Sequence, residues 1–237
     1  MALRPPPYLE PISPSQTGSR AIVLVLHGGR SQGHGQPHRL RLAYLRMLPF
    51  AQMLAAAGGK QGLAVYMLRY RYQGWNGSAK DPVRDTEWAL DELSRQHPGI
   101  PVALLGHSMG GRAALHAAGH RSVRAVCALA PWLDGTDPVA QLAGRTVLIA
   151  HGDREHTTDP RESYAYAVRA KKITDRVCRF DVLGDGHAML RRAQDWNGLV
   201  RRFVLGELGI EPPDPAITNA LREPAPTGLR VALSGVH

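Results

Sequence analysis

Apolar residues in this chain gather into six short runs, at 21–26, 63–71, 102–106, 123–130, 146–150 and 177–183. Each has strand length. The most continuous, Ala-Ile-Val-Leu-Val-Leu at 21–26, has no polar positions to turn toward water, as expected of a strand covered on both faces. Between the runs the spacing changes to the helical period. Helices are predicted over 42–57 (stopped by Gly58-Gly59 and interrupted by Pro49), from Asp81-Pro82 to His97-Pro98-Gly99, over 109–120, from Asp159-Pro160 to Lys172, and over 188–208. Residues 137–142 make only a short turn. Strands that alternate with helices, joined by connections too long for hairpins, imply a mostly parallel central sheet of about six to eight strands with helices on both faces, an α/β fold. The first 20 residues hold five prolines and leave room for one short edge strand. Beyond Gly209 the chain is again rich in proline (Pro212, Pro213, Pro215, Pro224, Pro226). The expected division is therefore a folded domain over 1–208 and an extension over 209–237 with no core of its own, partly disordered.

Composition refines this picture only slightly. A chain of 237 residues with 43% hydrophobic content suits one α/β domain with a full core. No apolar run approaches the roughly 18 residues of a membrane span, and the Met-Ala-Leu-Arg-Pro-Pro-Pro-Tyr start has no signal-peptide core, so a cytoplasmic protein without a membrane partner is expected. The net charge of +9 comes from 29 Lys and Arg against 20 Asp and Glu. The cations are spread along the chain without a basic run or interleaved aromatics, so no nucleic-acid partner is implied. Cys127 and Cys178 fall in different predicted strands. With one strand between them they would lie roughly 9.5 Å apart, beyond disulfide reach, so two free thiols are expected.

The candidate chemistry centres on Gly106-His107-Ser108-Met109-Gly110, a G-x-S-x-G with an apolar run before it and a helical pattern after it. That context is a strand-to-helix turn able to raise a nucleophilic serine above the sheet, with glycines two residues away on each side where strand and helix approach closely. Gly29-Arg30-Ser31-Gln32-Gly33 matches the same pattern, but Gln-Gly-His-Gly-Gln-Pro follows Ser31, which is loop composition. Ser31 is therefore set aside.

Taken with three further motifs, the chain resembles the α/β-hydrolase superfamily over roughly residues 20–206. It looks most like the lidless or small-lid bacterial members that carry Gly-His-Ser-Met-Gly-Gly, of the monoglyceride-lipase-like, serine-aminopeptidase-like and dienelactone-hydrolase-like kinds. The order serine, acid, histidine is the order of that family. The resemblance implies that Ser108 is the nucleophile and that His187, in Gly184-Asp185-Gly186-His187 between the last strand and last helix, is the base. It also implies an oxyanion hole from the backbone N–H groups of Gly29, in His27-Gly28-Gly29, and of Met109. For the acid, the family's spacing of three residues after a glycine lands on Glu155 in His151-Gly152-Asp153-Arg154-Glu155, with Asp153 as the alternative. Asp159 then caps the following helix. His107 is expected to pack or hydrogen-bond locally, and His34, His38 and His156 to lie in surface loops.

Only residues 131–145 are available for a cap, so an open site is expected, walled by the loops at 30–41, 72–80 and 132–136. Trp75 and Trp132 are candidates for an acyl or aromatic wall, and Arg30, Arg39 and Arg41 either favour an anionic substrate or are solvated surface. The implied activity is hydrolysis of a carboxylic ester or thioester through an acyl-enzyme, with a small acyl compound as partner and neither cofactor nor metal. A peptidase or acyltransferase of the same fold, or a non-catalytic binding protein, is the alternative. The sequence leaves the oligomeric state open.

Overall fold

The structure, a computed structural model, describes residues 6–12, 18–37 and 40–233. His38 and Arg39 lie outside the described residues. Eight strands among the described residues form one sheet: β1 (Tyr8–Pro11), β2 (Ala21–Leu26), β3 (Leu63–Arg69), β4 (Val102–His107), β5 (Val123–Leu129), β6 (Thr146–Gly152), β7 (Val177–Val182) and β8 (Val231–Ala232). Their order is β1-β3-β2-β4-β5-β6-β7-β8, and β1 alone runs antiparallel to its neighbour. Six helices accompany them: α1 (Leu42–Gly58), α2 (Asp81–Gln96), α3 (Met109–Ala117), α4 (Pro160–Lys171), α5 (Ala193–Glu207) and α6 (Pro215–Arg222). This is the α/β architecture expected from the apolar runs.

The two-residue side-chain period of a strand divides the core in two. In β2, Ala21, Val23 and Val25 face one layer with Met47, Leu54, Trp196 and Phe203 of α1 and α5. Ile22, Leu24 and Leu26 face the other with Leu90, Leu93, Leu115 and Tyr166 of α2, α3 and α4. All six residues of β2 are fully buried, which is why its sequence shows no polar alternation. Pro49 stays inside α1, which runs on without division. Cys127 and Cys178 both pair with Leu148 from opposite sides, one strand intervening, and both are free and buried.

Three local expectations need correction. The segment after Gly209 is not an extension without a core. Asp214 caps α6 by accepting the Ile217 N–H at 2.9 Å, Ile217, Leu221, Leu229 and Leu233 are buried, and β8 adds in parallel to β7. Residues 234–237 lie outside the described residues. The last long helix begins at Ala193, not at 188, because residues before it form a turn closed by Asp185, whose Oδ2 accepts the Arg192 N–H at 3.0 Å, and by Met189 at φ 53°. At α2, Asp81 is the first helical residue; its carboxylate accepts from Asn76 Nδ2 at 2.9 Å instead of capping.

The chain enters β2, steps to β3 on one side and returns to β4 on the other. The carboxyl ends of β2 and β4 therefore flank a topological switch point, the place where an open α/β sheet leaves a crevice. Between β5 and β6 the chain forms only a single 3-10 turn, Ala140–Leu142, so no cap domain covers that crevice.

Candidate active site

Ser108 stands between β4 and α3 with φ 56° and ψ −120°, a conformation that non-glycine residues avoid at a cost of about 1–3 kcal/mol. Three backbone bonds hold it there. Its N–H donates to Leu129 O at 3.0 Å, and its carbonyl accepts from the N–H groups of Trp132 and Arg112, each at 3.1 Å. The flanking glycines are required by contact as well as by turn geometry. A Cβ on Gly106 would collide with the Gly110 carbonyl, and one on Gly110 with the carbonyls of Leu26 and His27. The turn is thus pressed against the end of β2.

At that strand end, Gly29 lies against Met109: a Cβ on Gly29 would meet Met109 Sδ and the Gln73 carbonyl, each at 2.5 Å. Met109 opens α3, so its N–H has no acceptor within the helix. The two residues expected to supply oxyanion donors are therefore neighbours beside Ser108. Ser31 belongs to a different structure, a loop tied to residues 74–76 through the Arg30–Gly74 bridge and the Asn76 N–H to Ser31 O bond of 3.0 Å.

On the other side of β4, the loops after β6 and β7 bring Glu155 and His187 together. His187 Nδ1 lies 2.8 Å from Glu155 Oε2, whose side chain is fully buried, while the His187 side chain is 21% exposed. A carboxylate partner fixes the proton on Nδ1 and leaves Nε2 as the basic nitrogen. The second carboxylate oxygen, Oε1, accepts the N–H groups of His156, Thr157 and Thr158 at 2.9, 2.6 and 3.2 Å. Burial works to raise the Glu155 pKa, but the bonds from His187 and the backbone outweigh it and bring it to about 2. Asp153 is used differently: its Oδ1 accepts the Gly184 N–H at 2.6 Å, which pins the start of the histidine loop. The loops meet at glycines. A Cβ on Gly152 would strike the Asp185 carbonyl, and one on Gly186 would meet the Arg154 carbonyl at 2.7 Å.

Several supporting residues carry weaker sequence signals. Buried Asp185 shapes the histidine loop, accepting from Gly186 N, Arg192 N and Trp196 Nε1 at 2.8, 3.0 and 3.0 Å. His107, next to Ser108, reaches the His187 carbonyl through Nε2 at 3.0 Å, and the two rings are 4.6 Å apart. This is the local packing expected of it. His151 lies behind the acid, with Nε2 3.0 Å from Thr158 Oγ1 and 3.8 Å from Glu155 Oε2. Burial pushes both pKa values down to about 3, assisted by His187 for His107 and by Arg179 for His151, so both are neutral near pH 7.

The expected aromatic wall is mostly occupied. Trp75 is buried, and the Arg112 guanidinium sits 4.4 Å from the Trp75 ring and 4.8 Å from the Trp132 ring. Arg112 also binds Asp134 and Asp137, and His116 Nε2 shares Asp137 at 2.6 Å. These tryptophans brace α3 against the loop after β5, and only part of their surface lines a shallow cavity of about 330 Å3 with Ser78 and Thr136. Arg30 is exposed and lines a different cavity, beside Gly29. Among the described residues no cluster of three or more His, Cys, Asp or Glu is arranged to hold a metal ion, and no helix is long and apolar enough to cross a membrane.

Comparison with known proteins gives a consistent picture. A sequence-family model described as serine aminopeptidase, S33, matches residues 50–150. Human monoglyceride lipase is 31% identical over 103 residues, a stretch covering 43% of this chain and 31% of that protein. Among solved structures, an α/β serine hydrolase homologue from Coxiella burnetii superposes with a TM-score of 0.63 at 18% identity, covering 84% of this chain and 91% of the other. A serine hydrolase without lid from Xanthomonas campestris gives 0.60 at 20% identity, covering 88% and 90%.

Proposed function

We propose that this chain, which has the α/β-hydrolase fold, is a serine hydrolase cleaving a carboxylic ester or thioester through an acyl-enzyme. The observation that carries this proposal is the buried Glu155 bound to His187 at 2.8 Å, beside a serine held in the strained turn that the nucleophile role requires. In the proposed reaction His187 Nε2 takes the Ser108 proton as Oγ attacks the carbonyl carbon. The N–H groups of Gly29 and Met109 stabilise the tetrahedral oxyanion, at about 3 kcal/mol for each donor. Glu155 holds the tautomer and stabilises the imidazolium. The imidazolium then protonates the departing alcohol or thiol. Water, activated by the same histidine, releases the acid and restores Ser108.

A second reading, amide cleavage, is favoured by the serine aminopeptidase description of the matching family model. An ester is preferred because the site has no cap to hold a peptide terminus and because a monoglyceride lipase is among the relatives. Fluorophosphonate should label the protein, and Ser108→Ala should abolish both labelling and turnover of short p-nitrophenyl esters while leaving the thermal midpoint close to that of the wild type. Retained turnover in Ser108→Ala rejects the proposal. Faster cleavage of matched aminoacyl anilides than of esters selects the second reading.

A further inference from the structure

Beside Gly29 a cavity of about 290 Å3 opens, lined in part by Arg30, Pro37, Arg41, Leu42 and Gln73. Besides the cavity of about 330 Å3 at Trp75 and Trp132, two larger surface cavities, about 530 and 760 Å3, lie elsewhere. One is at the amino ends of β4 to β6, and the other, between Lys171 and Pro224, has Asp175 and Glu207 in its walls. The cavity beside Gly29 differs from both in position, at the carboxyl end of β2, and from the second also in charge. It shares Gly29 with the proposed oxyanion site, so a group seated there is continuous with a carbonyl held on Ser108. Pro37 and Leu42 give it an apolar flank. Its only charged lining residues are two arginines, and no carboxylate lines it.

These arginines differ from those that the fold uses in ion pairs. Arg71, Arg112, Arg176, Arg179 and Arg192 each bind a carboxylate. Among the described residues Arg30 and Arg41 have no such partner. The Gln73 carbonyl fixes Arg30 by accepting its N–H at 2.9 Å, and Arg41 immediately precedes α1, whose first turn holds no acidic residue. Arg41 is close enough to His27 at the cavity wall for its charge to be felt there, and Arg46 adds positive potential at His107. Guanidinium groups left without a counter-charge beside a reacting carbonyl suit an anionic substituent, which they can bind through charge-assisted, bidentate hydrogen bonds.

Sheet order says which end of the ester lies there. Gly29 follows β2, on one side of β4, whereas Glu155 and His187 follow β6 and β7, on the other side. The leaving group needs the proton of His187 and so lies toward β6 and β7. The acyl chain then lies toward β2 and the cavity. We propose that this cavity is the acyl subsite and that it selects short acyl chains ending in a carboxylate, so that the preferred substrates are monoesters or monothioesters of dicarboxylic acids. This proposal rests on the serine hydrolase reading above.

The test compares two esters of equal leaving group and similar length, the 4-nitrophenyl monoester of glutaric acid and 4-nitrophenyl valerate, by kcat/KM on the full chain. Wild type should favour the glutarate ester by roughly tenfold or more at low salt, the size expected of a charge-assisted pair. That preference should shrink between about 20 mM and about 500 mM NaCl. Arg41→Gln and Arg30→Gln should each lower the glutarate-to-valerate ratio, and Arg41→Lys should retain more of it than Arg41→Gln. Because each ratio is taken within one preparation, partial misfolding of a variant does not imitate the result. A wild-type ratio of one or below, or a ratio that both Gln variants leave in place, overturns the carboxylate assignment while the hydrolase reading stands. If neither ester turns over and Ser108 takes no fluorophosphonate, both readings fall together.

Discussion

Glu155 divides its two oxygens between separate tasks, one fixing the chain turn at 156–158 and the other orienting His187. Replacement by Gln changes the second task most, since an amide can present N–H where Nδ1–H needs an acceptor. Glu155→Gln should therefore lower kcat by about 10^3- to 10^4-fold, the size seen when a triad acid becomes an amide. Asp153→Asn keeps an oxygen available for Gly184 N and should stay within about threefold, since the exposed bond it alters is worth only about 1 kcal/mol. Steady-state kinetics on the two variants side by side decides the matter: a larger loss in Asp153→Asn makes Asp153 the acid. The spacing from Gly152 pointed to Glu155, and Glu155 is the carboxylate that meets His187. The three backbone donors curl the acid loop around one carboxylate oxygen and turn the other toward His187.

At the scale of elements, the strands were the most legible because six of them sit between two apolar layers and so are mostly apolar, with exceptions such as Arg124 in β5 and Arg179 and Asp181 in β7. The C-terminal segment was hidden by its prolines, although it carried a readable signal. Asp214-Pro215 repeats the helix-opening pair seen at Asp159-Pro160, and Ile217, Ala220 and Leu221 keep helical spacing. The start of α5 was misplaced because Ala188, Met189 and Leu190 favour a helix locally, whereas the carboxylate of Asp185 closes a turn around them. No local pattern announced that Trp75 and Trp132 would be spent on Arg112, because that cluster joins residues from three distant parts of the chain. Four large buried apolar side chains beyond Gly209 (Ile217, Leu221, Leu229 and Leu233), at roughly 2 kcal/mol each, amount to much of the 5–15 kcal/mol that holds a domain folded. A chain ended at residue 208 should accordingly be insoluble or lack a cooperative thermal transition by calorimetry. A sharp transition near the wild-type midpoint contradicts this account of the segment.

For the molecule as a whole, burial of neutral histidines links stability to pH. Burial brings His27 to about 4, and His107 and His151 to about 3, against about 6.5 for each in the unfolded chain. A lowered histidine pKa means that the unfolded state takes up protons first. Their contribution is therefore complete above pH 6.5 and declines as pH falls toward 4, by roughly 2 kcal/mol per histidine at about pH 5. Glu155 adds a lower window, its stabilisation being lost as pH falls from about 4.5 through about 2. The thermal midpoint should drop steeply between pH 6.5 and pH 5, before most carboxylates titrate. A midpoint that stays level down to pH 5 by scanning calorimetry contradicts the neutral burial of these rings.

The contact of Gly110 with the end of β2 has a further consequence, for how this scaffold can change over generations. Because the serine turn is wedged against the strand that leads to Gly29, the proposed nucleophile and oxyanion donors form one block, and substitutions at Gly106 and Gly110 meet backbone. The surfaces proposed to receive the acyl chain come instead from Arg30, Pro37, Arg41 and the first turn of α1. On the proposed reading, selection can rewrite what the molecule accepts by exchanging residues such as Arg30 and Arg41, while the block around Ser108 is inherited intact.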